Sequence, residues 1–355
     1  MSGTQRTAGL PTGGATEVAD EHPVEDVLGQ QWVARTLALR PDALARRGAP
    51  APVATLVSPA GSDEHPRAVA VLYVHGFTDY FFHAHVGAFL GEHGYDLHAL
   101  DLRDHGRSIR PGRPPTTTSG LGAHAEEIDL AVRRLRRRYA SVVLLGHSTG
   151  GLVTALWADA RRGLGLVDGL VLNSPWLDLR GGWLTKHAVG PLASAIGRVA
   201  PDAVVSHLGP HYARALHAEG GGEWTFEQAW KPFAGFPVHA GFVRAVRDGQ
   251  RRVARGLDVD VPVLVLTSDA AGRGDRWHEG LLSADCVLDP ADIRARAPRL
   301  GRDVRLVEVP GGAHDLALSA VPARDVYLAE VLAFLRTHAP AHPSSGTDPS
   351  TPAHR

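Results

Sequence analysis

Two short runs, Val-Val-Leu-Leu at 142–145 and Val-Leu-Val-Leu at 263–266, are apolar on consecutive residues rather than on alternate ones. A strand with one wet face alternates apolar and polar residues. An unbroken apolar run of this length suits a strand covered on both faces, as in a parallel sheet with helices on each side. Similar strand candidates lie at 32–39, 52–58, 68–75, 96–101, 142–146, 169–173, 261–267 and 304–309. Helical periodicity fills 83–93, 123–139, 150–162 and 323–338, with Pro322 at the natural start of the last. Alternating β and α units predict an α/β chain built on a doubly wound sheet.

The rhythm breaks once. From Pro175 to about Asp258 no convincing sheet strand appears, yet nine of the chain's aromatic residues fall there: Trp176, Trp183, Tyr212, Trp224, Phe226, Trp230, Phe233, Phe236 and Phe242. An aromatic insertion between two strands predicts a lid over the carboxyl edge of the sheet, where ligands bind in such folds. Some of the rings must instead form a satellite core that holds the insertion together. The ends read as disordered tails rich in Gly, Ser, Thr and Pro, residues 1–22 and 340–355, flanking one domain at 23–339 with its insertion at about 175–258.

The sharpest local signal is Gly146-His147-Ser148-Thr149-Gly150, followed by Gly151. It directly follows an apolar strand and directly precedes a helical stretch. A strand turning sharply into a helix strains its central residue and needs small neighbours two positions away. The serine hydroxyl then stands at a helix N-terminus, where free amides favour developing negative charge. A Gly-rich turn that binds phosphate is the other reading of such a loop.

A nucleophilic serine needs a base. Among 20 histidines, His314 is favoured by its Gly-rich loop, Pro310-Gly311-Gly312-Ala313-His314-Asp315, between the last strand and the last helix. The base needs a carboxylate to orient it. Asp269, directly after the 261–267 strand, competes with Asp285, which lies beyond a polar loop of about fifteen residues; Asp275 and Asp289 are weaker options. For the oxyanion, Thr149 can offer one backbone N–H and Phe77, in His75-Gly76-Phe77, the other. The chain order Ser, Asp, His differs from those of the two common protease folds.

Together these segments resemble the α/β-hydrolase superfamily, and within it the branch of monoacylglycerol lipases, lysophospholipases and serine aminopeptidase-like hydrolases. The resemblance spans 53–335. It rests on His75-Gly76-Phe77, on Asp101-Leu102-Arg103-Asp104-His105-Gly106-Arg107-Ser108, on Gly146 to Gly151, on Ala284-Asp285-Cys286-Val287-Leu288-Asp289-Pro290 and on Gly312-Ala313-His314. It implies an α/β-hydrolase fold: a mostly parallel eight-stranded doubly wound sheet with a helical lid insertion. It also implies Asp285 as the acid of a Ser148–Asp285–His314 triad. The sequence departs from the family at Asp104, where glycine is usual, and in the insertion 269–283 that displaces Asp285 from its strand. If that insertion loops out, Asp285 returns to the site; otherwise Asp269 takes its place.

The expected chemistry is hydrolysis of a carboxylic ester with an apolar acyl part, since the insertion is aromatic and no charged pocket is evident. Acyl transfer or peptide cleavage on the same fold, or a non-catalytic binding role, are the alternatives. No cofactor or metal is required. The sequence His83-x-His85 lacks partners at metal-ligand spacing and reads as histidines on a helix surface. The run Arg133 to Arg138 reads as a solvated helix face. A net charge of −1 argues against a general nucleic-acid binder, and the expected partner is a small-molecule ester substrate. Only two of the 37 basic residues are lysine, Lys186 and Lys231, a skew that fits a GC-rich coding sequence. A single cysteine, Cys286, allows no intrachain disulfide, and neither a signal peptide nor a membrane span is visible, so a cytoplasmic protein is expected. Oligomeric state is not legible.

Overall fold

The computed structural model describes residues 22–116, 118, 120–181 and 190–341. The predicted tails fall almost entirely outside the described residues, as do 182–189 with Trp183. The strands in chain order are β1 (Val24–Asp26), β2 (Gly29–Ala38), β3 (Val53–Pro59), β4 (Val69–Val74), β5 (Tyr95–Asp101), β6 (Ser141–His147), β7 (Gly169–Asn173), β8 (Val204–Ser206), β9 (Val238–His239), β10 (Val263–Ser268) and β11 (Val304–Val309). The helices are α1 (Ala84–Glu92), α2 (Ala125–Arg136), α3 (Thr149–Ala160), α4 (Gly190–Val199), α5 (His211–Leu216), α6 (Ala240–Arg255), α7 (Pro290–Arg296) and α8 (Ala323–His338).

Nine strands form one sheet in the order β1-β2-β3-β5-β4-β6-β7-β10-β11. The first three join antiparallel, and every pairing from β5 onward is parallel. All eight strands expected from the sequence are present. The ninth, β1, is three residues long and too short to show a pattern. It is clamped by Arg107, whose guanidinium meets Asp26 at 2.5 and 2.7 Å and Asp101 at 2.8 Å.

The consecutive apolar residues divide between two cores. On β4, Ala70, Leu72 and Val74 join the core beneath α2, α3 and α6, whereas Val69, Val71 and Tyr73 join the core beneath α1 and α8. Each fully buried Leu or Val contributes on the order of 1.5–3 kcal/mol. The unbroken hydrophobic run is therefore what a strand buried on both faces requires.

The order reverses at β4, the first parallel strand, which has β5 on one side and β6 on the other. Neighbouring carboxyl ends at such a reversal diverge and leave a crevice. The registers Val74↔Gly146, His147↔Asn173, Leu266↔Asn173 and Ser268↔Val309 set the ends of β4, β6, β7, β10 and β11 side by side. Every predicted site residue follows one of these strand ends. Among the described residues between β7 and β10 no segment joins the main sheet; β8 and β9 pair with each other.

Candidate active site

Ser148 sits between β6 and α3 with φ 52° and ψ −116°, a conformation that is strained for any residue with a side chain. Neighbouring backbone holds it there. Its N–H donates to the Asn173 carbonyl at 3.0 Å, and its carbonyl accepts from the Trp176 amide at 3.0 Å. The glycines around it answer to space. A Cβ on Gly146 would lie 2.4 Å from Thr154 Oγ1, and one on Gly150 would lie 2.3 Å from the carbonyl oxygens of both Val74 and His75. The second contact is what lets α3 press against the end of β4.

His314 follows β11 and is buried. Its Nε2 lies 3.0 Å from Ser148 Oγ, and its Nδ1 lies 2.9 Å from Asp285 Oδ2. The other oxygen of Asp285 accepts from the amides of Val287 at 2.9 Å and Leu288 at 2.6 Å. Burial acts to raise the pKa of Asp285, but the His314 ring and these hydrogen bonds outweigh it and hold the carboxyl below the usual carboxylate range. An ionised Asp285 accepts only, so Nδ1 carries the imidazole proton and Nε2 is left to accept from the Ser148 hydroxyl.

The insertion loops out. Asp285 N–H donates to the Ala270 carbonyl at 2.8 Å, and Gly272 N–H donates back to the Asp285 carbonyl at 2.8 Å, closing a bridge between Ala271 and Asp285. The detour thus begins and ends at one point, and Asp285 arrives just beyond the end of β10. The other acidic candidates are elsewhere. Asp269 is exposed and accepts from the Gly311 amide at 3.0 Å. Asp275 pairs with Arg273 at 2.7 Å, and Asp289 caps α7 through the Ala291 amide at 2.9 Å.

Phe77 and Thr149 both line the cavity at Ser148, and the Phe77 ring stacks on Phe242 at 4.2 Å between centroids. Gly76 packs close enough that a Cβ there would lie 3.1 Å from Ser148 Cβ, so the loop after β4 passes directly beside the serine. His75 fixes that loop by accepting the Leu102 amide on Nε2 at 3.0 Å and donating from Nδ1 to the Gly76 carbonyl at 2.8 Å. Asp104 is accommodated at φ 60°, in the left-handed region that aspartate tolerates better than most residues. Its carboxylate takes a two-pronged contact from buried Arg113 at 2.7 and 2.8 Å, and Arg113 continues to Asp42 at 2.6 Å.

Behind the imidazole lies a buried polar network with no clear signal in the sequence. Asp315 accepts from His83 Nε2 at 2.9 Å, Asn173 Nδ2 at 2.8 Å and the Ala317 amide at 3.1 Å, while its own amide donates to the Tyr212 hydroxyl at 2.9 Å. The His147 ring lies tilted beside the His314 ring, 4.9 Å between centroids, and burial drops its pKa to about 4 against the pull of Asp315. Lys231 Nζ meets buried Asp79 at 2.5 Å. Asp79, His147 and Asp315 offer ligand atoms within 4.8 Å of one another, but Lys231, His83 and Asn173 already hold the two carboxylates. His83 and His85 do not form a surface pair. His83 is buried on Asp315, and His85 meets the Ala317 carbonyl at 2.8 Å, because the loop before α1 turns inward beneath the His314 loop. The arginine run is only partly a solvated face: Arg133, Arg137 and Arg138 are exposed, whereas Arg134 reaches Asp63 at 3.4 Å and Arg136 meets Asp168 at 2.7 Å, and Ile128, Ala131, Val132 and Leu135 are buried on the other side of α2.

The aromatic residues of 175–258 divide between both expected roles. Trp176, Tyr212, Phe233 and Phe242 line a cavity of about 830 Å³ at Ser148. Phe226 is buried with Tyr80, Phe82, Leu216 and Leu318, and Trp224 and Trp230 pack against them. No helix among the described residues is long and apolar enough to cross a membrane.

Three solved structures show the same fold at low identity. A soluble variant of monoglyceride lipase from Saccharomyces cerevisiae in complex with a substrate analogue is 14% identical, with a TM-score of 0.60, over 91% of this chain and 96% of that one. A monoacylglycerol lipase from Paleococcus ferrophilus is 20% identical, with a TM-score of 0.58, over 76% and 95%. Est1E from Butyrivibrio proteoclasticus with bound ferulic acid is 16% identical, with a TM-score of 0.52, over 81% and 96%. No curated protein matches the sequence. The family described as serine aminopeptidase, S33, matches residues 64–319, a span that runs from before β4 to beyond His314, and the chain belongs to that family of α/β hydrolases.

Proposed function

We propose that the protein is a serine esterase acting through an acyl-enzyme, with Ser148 as nucleophile, His314 as general base and acid, and Asp285 as the carboxylate that orients it. Ser148 Oγ attacks the ester carbonyl as its proton passes to His314 Nε2. Asp285 offsets the imidazolium charge through Nδ1–H. The negative charge that builds on the carbonyl oxygen is met by the backbone N–H groups of Phe77 and Thr149. Collapse breaks the bond to the alcohol oxygen, which takes the proton from Nε2. Water then repeats the sequence and releases the acid.

What carries this reading is one continuous set of contacts from Asp285 through His314 to Ser148, at 2.9 and 3.0 Å, opening on the largely apolar 830 Å³ cavity. A ligand-binding role alone would call for none of these three side chains. Two of the similar folds belong to monoacylglycerol and monoglyceride lipases, which supports an ester substrate here.

The test is labelling by a fluorophosphonate probe together with p-nitrophenyl butyrate turnover. Wild type should label and turn over, and Ser148→Ala should do neither while remaining folded by circular dichroism. Full turnover in Ser148→Ala would overturn the proposal. Acyl transfer to an added alcohol in excess of hydrolysis, or cleavage of aminoacyl amides in preference to esters, would reassign the reaction while leaving Ser148 as nucleophile.

A further inference from the structure

The charged groups that line the cavity are each held by another charged or polar side chain, with one exception. Lys231 meets Asp79 at 2.5 Å. Arg273 holds Asp275 through two contacts at 3.0 and 2.7 Å. Asp315 is satisfied by His83, Asn173 and the Ala317 amide. The remaining charged residue of the lining is Arg180, which has no carboxylate partner among the described residues. Its Nη2 donates to the Gly272 carbonyl, and its other N–H donors have no hydrogen-bond partner among the described residues.

Arg180 is also held in place. Gly272 belongs to the bridge at Asp285, so the guanidinium is tied to the segment that delivers the triad acid. Its field reaches the neighbouring thiol. Burial and Asp285 push the Cys286 pKa up, and Arg180 acts against them. Leu179, Trp176 and Phe242 line the same cavity and lower the local dielectric, so a charge pair formed there is worth more than one in water. An apolar ester makes no use of a forked cation in this position, whereas a carboxylate or phosphate matches its two parallel donors.

We propose that Arg180 is an anion subsite of this cavity, and that the preferred esters carry a carboxylate or phosphate away from the scissile bond. The proposal rests on the esterase reading above and refines its substrate class from neutral apolar esters to amphiphilic anionic ones.

Two matched substrate pairs test it and separate the two sources of charge. The first pair is p-nitrophenyl hydrogen adipate against its neutral methyl ester, which places a carboxylate on the acyl side. The second is 1-butyrylglycerol 3-phosphate against 1-butyrylglycerol, which places a phosphate on the alcohol side. In wild type the anionic member of at least one pair should have the higher kcat/KM by about tenfold at low salt, chiefly through KM. The preference should shrink as ionic strength rises. Arg180→Gln should bring that ratio to about one, and Arg180→Lys should keep part of it.

A ratio at or below one in both pairs, or a ratio that survives Arg180→Gln, overturns the proposal. Calorimetric binding of the adipate pair to Ser148→Ala reads the subsite without turnover. Tighter binding of the anion, lost when Arg180→Gln is added, supports the subsite even if the esterase reading fails; equal binding of the two members sinks it.

Discussion

Both oxygens of Asp285 are occupied, one by His314 and the other by two amides, and the residue is fully buried. Asn at this position would present an amide group where the imidazole needs an acceptor, which favours the wrong ring tautomer. Asp285→Asn should therefore lower kcat for p-nitrophenyl butyrate by about 10⁴-fold. Asp269→Asn disturbs one hydrogen bond to Gly311 at an exposed position and should leave kcat within about threefold. Equal losses in the two variants would unseat Asp285. This contrast also marks what the sequence can disclose. Ser148 and His314 are legible because each sits in a glycine-rich turn at a predicted strand end. Distance along the chain favours Asp269, and only the motif around Asp285 points the other way. Asp79, His83, Tyr212 and Asp315 stayed hidden, because their contacts join residues 103 to 232 positions apart and leave no local pattern.

At the level of elements, the site depends on how closely α3 and the loop after β4 approach each other. The Gly150 contact measures this, since an added methyl would strike two carbonyl oxygens at 2.3 Å. Backbone cannot swing aside as a long side chain can, so α3 would have to shift and take Ser148 with it. Gly150→Ala should abolish ester turnover and destabilise the protein by several kcal/mol, about 3 or more. Gly163→Ala is a fitting control. It meets open space at φ +76°, so it should cost only about 1 kcal/mol and leave kcat unchanged. Thermal melts and kcat on both variants check the pair; an active, stable Gly150→Ala protein would contradict the account. The main-sheet strands longer than three residues and the helices α1, α2, α3 and α8 are legible in the sequence because their periodicities reflect burial on a sheet, whereas α6, as long as α8, is not delimited by sequence within the aromatic insertion. The short elements β1, β8 and β9 are not legible, because two or three residues show no period. The division of the aromatic residues is likewise invisible, since a ring facing a cavity and a ring facing a satellite core have the same composition.

For the molecule as a whole, the abundance of buried histidine sets the response to acid. Burial depresses the pKa of His147 to about 4, of His98 to about 3 and of His85 to about 4, and lowers those of His75 and His105 as well. The unfolded chain protonates these rings near pH 6.5, whereas the folded one keeps them neutral. Between those values the unfolded state binds more protons, so stability rises with pH and is lost as pH drops below about 6.5. At pH 5 His98 and His147 alone should weaken the fold by about 2 kcal/mol each relative to pH 8. Urea unfolding at the two pH values should show a clearly lower midpoint in acid, and coincident midpoints would refute the account. The clasp between Ala271 and Asp285 has its own consequence. Because the excursion is fastened at its neck, its rim can lengthen, shorten or change sequence without dragging on Asp285. The selectivity of the entrance, where Arg273 and Asp275 sit, can drift independently of the chemistry below.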